Sequence, residues 1–92
     1  MRRRGVTLED VEKSIQRHAM KLFLKTNQSI PDSLLTHLTL KERTLIESNL
    51  FEKKSLREIG RSFGISGESA RQIEAKALLK LSKIRKEKKE VS

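Results

Sequence analysis

The stretch Ser55-Leu56-Arg57-Glu58-Ile59-Gly60-Arg61-Ser62-Phe63-Gly64-Ile65-Ser66 constrains the fold more than any other part of the chain. Ser55 and Glu58 have the spacing of a capping box. The cap hydroxyl accepts from the third helical amide, and the carboxylate accepts from the cap's own amide. Leu56, Ile59 and Phe63 recur at spacings of three and four, one face of a helix. Gly64 supplies the left-handed conformation that ends a helix, and Ser66 caps the next. Gly60 is the informative residue. Glycine inside a helix costs roughly 0.5–1 kcal/mol relative to Ala, so its presence needs a packing reason. An ordinary helical hairpin explains Gly64 but not Gly60. Two helices that cross steeply at Gly60, turn at Gly64 and share a core of Ile59, Phe63, Ile65, Ala70 and Ile73 explain both. The spacing over 56–75 is that of a helix-turn-helix.

Helical signals continue on either side. Thr7 with Asp10 predicts a capped helix whose stripe is Leu8, Val11, Ile15, Ala19, Leu22 and Phe23, with Val6 packing on Val11 as a staple. That helix should fade near Lys25, and Thr26-Asn27-Gln28-Ser29 reads as a loop. Pro31 suits the first turn of a short helix holding Leu34, Leu35 and Leu38. Thr39 and Glu42 form another capping box, opening a helix with Leu45, Ile46 and Leu50 inward. Glu52-Lys53-Lys54 breaks the pattern. After Ser66, a stripe of Ala70, Ile73, Ala77, Leu81 and Ile84, supported by Leu78, predicts a long helix to about Ile84. The expected fold is all-α: a small helical domain ending in the helix-turn-helix, plus an N-terminal helix. The expected organisation is an N-terminal helical segment over 1–37, the helix-turn-helix domain over 38–84 and a basic flexible tail over 85–92.

The 92 residues allow one domain of modest core. Lys and Arg total 21 against 12 Asp and Glu, a net charge of +9. Both ends are basic around a near-neutral centre, which points to a polyanion, nucleic acid before acidic membrane. The bland alternative is a highly charged soluble surface. The basic tail has too little apolar content for a membrane role, and no apolar run could span one. With no Cys there is no disulfide frame, thiolate metal site or thiol nucleophile. His18 and His37 lack metal-ligand spacing or a nucleophile partner, so neither an enzyme nor a cofactor is expected. Met1-Arg2-Arg3-Arg4 lacks the apolar stretch of a signal peptide, so a cytoplasmic, nucleoid-associated protein is expected.

If Ala70, Ile73 and Ala77 face inward, then Glu68, Ser69, Arg71, Gln72, Ala75 and Lys76 face outward. Such a surface suits a major groove: Arg holds guanine by two hydrogen bonds, Gln does so for adenine, and Glu accepts from cytosine. Lys76, Lys80 and Lys83 lie further along and would meet phosphates, as would the helix N-termini at Ser55 and Ser66. For any one of these, a solvated charged face is the competing reading.

Taken together, Leu38-Thr39-Leu40-Lys41-Glu42-Arg43, the stretch Ser55 to Ser66, and Arg71-Gln72-Ile73-Glu74-Ala75-Lys76-Ala77-Leu78 resemble region 4 of the bacterial sigma-70 family. The resemblance covers residues 38 to about 84. It implies that Glu68, Arg71 and Gln72 read bases of a −35 promoter element, with Ser69 beside them, and that Lys53, Lys54 and Arg57 hold phosphates. It also implies double-stranded promoter DNA and the β flap of RNA polymerase as partners. Leu45, Ile46 and Leu50 would offer flap-facing surface or core. The family usually carries Arg at the positions of Gly67 and Ser69, and Ile or Val at Ala70. Its linker is usually longer than Asn49 to Lys54.

Residues 1–37 match no named pattern. A stand-alone sigma-like regulator, one half of a split sigma factor with a second sigma subunit as partner, or a fragment all fit. Met1 and the cap at Thr7 favour a complete small protein. The competing function is an adaptor that uses the sigma-like fold to bind polymerase or a regulatory protein with little sequence-specific DNA binding. Its surface would be the Leu8 to Phe23 stripe, for which intramolecular core is the expected role.

Overall fold

The computed structural model describes residues 7–91, and the side chains of residues 7–87. Its helices are α1 (Leu8–Asn27), α2 (Asp32–Leu35), α3 (Leu40–Ile46), α4 (Leu56–Phe63) and α5 (Gly67–Val91). α3 runs on into a π-helical segment, Glu47–Phe51. No strand occurs among the described residues, and the fold is all-α as expected. No helix is long and apolar enough to cross a membrane among those residues.

The helix starts follow from local chemistry. Capping boxes join Thr7 to Asp10, Thr39 to Glu42 and Ser55 to Glu58, each hydroxyl accepting from its third amide at 3.1 Å. Ser66 Oγ accepts from the Ser69 amide at 3.0 Å. These bonds satisfy amides that a helix otherwise leaves unpaired. Two ends differ from expectation. Thr26 and Asn27 remain helical, and α1 stops at Gln28, whose amide still donates to the Leu24 carbonyl at 2.8 Å while its φ of 58° turns the chain out of the helix. α5 does not end near Ile84 but continues to Val91, so the segment expected as a basic flexible tail extends this helix. Arg85 at its start stacks 3.9 Å from the Phe23 ring centroid, tying that turn to α1.

Two apolar clusters hold the helices together. Met20 and Leu24 from α1, Ile30, Leu34 from α2, Ile46 and Leu50 pack on Ala77, Leu78 and Leu81 of α5. Leu45, Ile59 and Ala70 form the second, flanked by Leu56, Phe63, Ile65 and Ile73. Leu45, Ile46 and Leu50 are thus core, which removes them from any flap-facing surface.

The stripe expected to bury α1 is corrected by the structure. Leu8, Val11, Ile15, Ala19 and Leu22 stand in solvent, Phe23 is half-buried, and the buried side chains are Met20 and Leu24. The expected staple of Val6 on Val11 lies partly outside the described residues. α1 carries two apolar faces, and the one that fits Ala77, Leu78 and Leu81 is the shorter. It also lays Lys21 Nζ 3.8 Å from Glu74 Oε1 on α5. Glu74 is buried and its Oε2 has no hydrogen-bond partner among the described residues. Burial pushes its carboxyl above the ordinary range, against the opposing pull of Lys21.

Candidate nucleic-acid interface

The geometry at Gly60 explains the helix crossing. A β-carbon there would lie 2.8 Å from the carbonyl oxygens of both Ile65 and Ser66, closer than such atoms ever approach. The bare α-carbon lets the Ile65 amide donate to the Gly60 carbonyl at 2.8 Å, locking the turn onto α4. Gly64 adopts φ 74° with open space around it, so its role is conformational. Ile59, Gly60 and Ala70 are buried, Phe63, Ile65 and Ile73 half-buried, and Gly64 is exposed as the turn residue rather than core.

This turn projects the start of α5. Glu68, Ser69, Arg71, Gln72 and Lys76 are all exposed, with Ala75 half-buried between them. Three of these side chains are joined. Arg71 Nε donates to Glu68 Oε1 at 3.1 Å, its Nη2 donates to Oε2, and Gln72 Nε2 donates to the same Oε2 at 3.4 Å. The hydrogen bond from Arg71 holds the Glu68 carboxyl below its ordinary range. Exposed pairs of this kind are worth little in water, so their groups can exchange partners for base edges.

A second group surrounds the start of α4. Lys53, Lys54, Ser55 and Arg57 are exposed there. Lys53 has φ 61°, and Asn49 Nδ2 donates to the Lys54 carbonyl at 2.8 Å, fixing the approach to the Ser55 cap. The Lys54 ammonium lies 3.4 Å from Glu52. Ser55 and Ser66 spend their hydroxyls as caps. Gly67 lies against this region: a β-carbon on it would sit 3.4 Å from the Arg57 α-carbon, an ordinary contact.

Lys80 is placed apart from these groups. Its ammonium donates to Glu42 Oε1 at 2.9 Å, on the flank of α5 that meets α3. Burial pushes the Glu42 carboxyl up, but bonds from the Thr39 amide and Lys80 outweigh it and hold it below the ordinary range. The pairs Lys80–Glu42 and Lys21–Glu74 carry no signal in a linear reading, since each joins helices distant in sequence. Leu40 stands exposed on α3, and in the sequence it has no signal beyond its place between Thr39 and Glu42 of the cap.

A family model described as Sigma-70, region 4 matches residues 34–83. No curated protein and no solved structure matches the chain. The match begins in α2 and takes in the whole helix-turn-helix and most of α5. The chain therefore belongs to the sigma-70 region 4 family, a family of DNA-binding regulatory domains rather than of enzymes.

Proposed function

We propose that this protein reads −35-type promoter DNA in the major groove and docks on the β flap of a bacterial RNA polymerase. The observation that carries the reading is the outward face of α5, where Glu68, Arg71 and Gln72 stand exposed directly after a turn closed by Gly60 and Gly64. In this reading Arg71, Gln72, Glu68 and Ser69 meet base edges, the first two as bidentate donors or donor–acceptors. Lys53, Lys54, Arg57 and Lys76, with the helix starts at Ser55 and Ser66, hold phosphates. Lys80 is left out of that set because Glu42 engages its ammonium. Flap docking would use Leu40, the large apolar side chain exposed on α3. Residues 38–84 carry the reading surface, and Met20, Leu24, Ile30 and Leu34 of the segment 1–37 share the core behind it. The protein works in the cytoplasm, at the nucleoid.

A labelled duplex with a consensus −35 hexamer, titrated beside a scrambled duplex at two salt concentrations, tests the reading. Preference for the hexamer that survives the higher salt supports it. Equal, salt-sensitive binding to both leaves only the +9 charge at work and favours the adaptor reading.

A further inference from the structure

The exposed stripe of α1 lies wholly outside the residues that the family model matches. Leu8 is 83% exposed, Val11 41%, Ile15 62% and Leu22 65%, with Ala19 exposed between the last two. Single exposed apolar residues are ordinary, whereas an aligned row marks an interaction surface. The row faces away from Met20 and Leu24, so among the described residues nothing of the body covers it. The first turns of α1, Leu8 to Lys13, are exposed on every side. An isolated helix is marginal in water, so this end lacks the tertiary support that usually sustains one.

The spacing identifies what fits. Residues 8, 11, 15, 19 and 22 are symmetric about Ile15, at intervals of four and seven on each side. A two-fold axis at Ile15 running between antiparallel helices sets Ile15 beside its own copy. It sets Leu8 beside Leu22 of the other copy, and Val11 beside the small Ala19. Each layer then joins apolar partners, and large meets small where the row narrows. Charge favours the same direction. The described acidic residues of α1 are Glu9, Asp10 and Glu12, and from Lys13 onward its charged residues are Lys13, Arg17, Lys21 and Lys25. Of these, Lys13 pairs with Glu9 of the same helix and Lys21 with Glu74 of α5, leaving Arg17 and Lys25 for a partner. Antiparallel pairing lays the acidic end beside the partner's basic half, within about one Debye length of 10 Å. Parallel pairing would set like against like.

We propose that α1 is a self-association surface and that two copies of this chain pair antiparallel through Leu8, Val11, Ile15, Ala19 and Leu22. Five layers on one helix form an interface at the small end of specific ones, below or near about 1,000 Å². The net charge of +9 on each copy opposes it further. The dimer is therefore weak, with a Kd of about 10–100 μM. It leaves the outward face of α5 free, because the row lies on the far side of α1 from its contact with α5.

Sedimentation equilibrium on the full chain, at concentrations from about 1 to about 300 μM, tests this directly. The expected mass rises from 10.6 kDa towards twice that value. Ile15→Glu should hold the monomer mass throughout with an unchanged melting curve, since the side chain is exposed. Direction is tested by cysteine, which the native chain lacks. Ile15→Cys should form a disulfide-linked dimer under mild oxidation, as facing positions on packed helices come within disulfide reach. Leu8→Cys alone should not, whereas Leu8→Cys mixed with Leu22→Cys should. A wild-type chain that stays monomeric throughout overturns the proposal and gives the stripe to a different protein. A dimer that survives Ile15→Glu overturns it too, as does self-linking of Leu8→Cys, which would mean parallel pairing.

Discussion

The Lys80 ammonium on α5 donates to Glu42 Oε1 on α3 at 2.9 Å, and Glu42 at the same time caps the start of α3 through the Thr39 amide, also at 2.9 Å. One carboxylate thus fixes both where α3 begins and how α5 lies across it. Lys80 is a lysine on a basic helix of a DNA-binding protein, yet its partly exposed ammonium is paired with a carboxylate of the neighbouring helix.

Lys80→Met should accordingly leave the salt dependence of DNA binding unchanged. Its stability cost should be below about 1 kcal/mol, because the ammonium is partly exposed. Glu42→Ala should cost more, about 1–2 kcal/mol, through loss of the capping bond as well. Urea unfolding and a salt titration of duplex binding measure both. A salt slope that falls by about one unit in Lys80→Met would return the residue to the phosphate contacts.

Arg71→Ala and Arg57→Ala should separate base reading from phosphate holding. The first should narrow the gap between specific and scrambled duplexes by about 1–3 kcal/mol. The second should weaken both alike and reduce the salt slope by about one unit. Paired fluorescence-anisotropy titrations at several salt concentrations give both numbers, and the reverse pattern would exchange the two assignments.

Gly60→Ala should destabilise by about 1–3 kcal/mol, because its methyl meets two backbone carbonyls that cannot move without opening the turn. Helix propensity alone predicts the opposite sign, a gain of about 1 kcal/mol. Thermal melting therefore distinguishes close packing from a tolerated glycine by the direction of the change.

Gly67→Arg should be accommodated, since the added β-carbon only touches the Arg57 backbone at normal contact distance. It places at the head of α5 a residue type that the sequence resemblance gives for this position. Affinity for a −35 duplex should rise by about tenfold, worth about 1.4 kcal/mol. A rise confined to scrambled DNA, or none, would mean that the side chain does not reach a base.

Glu74 predicts a pH dependence. Its pKa is raised in the folded chain, so folding favours the protonated carboxyl. The benefit of protonation is present below the ordinary value of 4.5 and is lost as pH rises through the raised one. Arg17, His18 and Lys21 of α1 line the same hollow and stay when Glu74 is changed. Glu74→Gln should be more stable than wild type at pH 7, by about 1 kcal/mol, with the difference vanishing near pH 4. Urea unfolding at the two pH values decides it. Equal differences at both would assign the effect to packing.

What the sequence determined by itself is what short-range backbone chemistry decides. Thr7, Thr39, Ser55 and Ser66 cap their helices because a hydroxyl three residues from an unpaired amide needs no distant partner. Gly60 and Gly64 could be read because one removes a side chain and the other permits a positive φ, and both are properties of the residue alone. The outward face of α5 followed from its period. Tertiary structure alone decided which face of α1 is buried. Leu8, Val11, Ile15, Ala19 and Leu22 make the longer apolar row, but Met20 and Leu24 are the pair that meets Ala77, Leu78 and Leu81. Periodicity reports that a face exists, and burial depends on what lies opposite it. The same reason hid the pairs Lys80–Glu42 and Lys21–Glu74, each formed across helices far apart in the chain. A charge can be counted from the sequence, but the neighbour that engages it is set only when the helices pack.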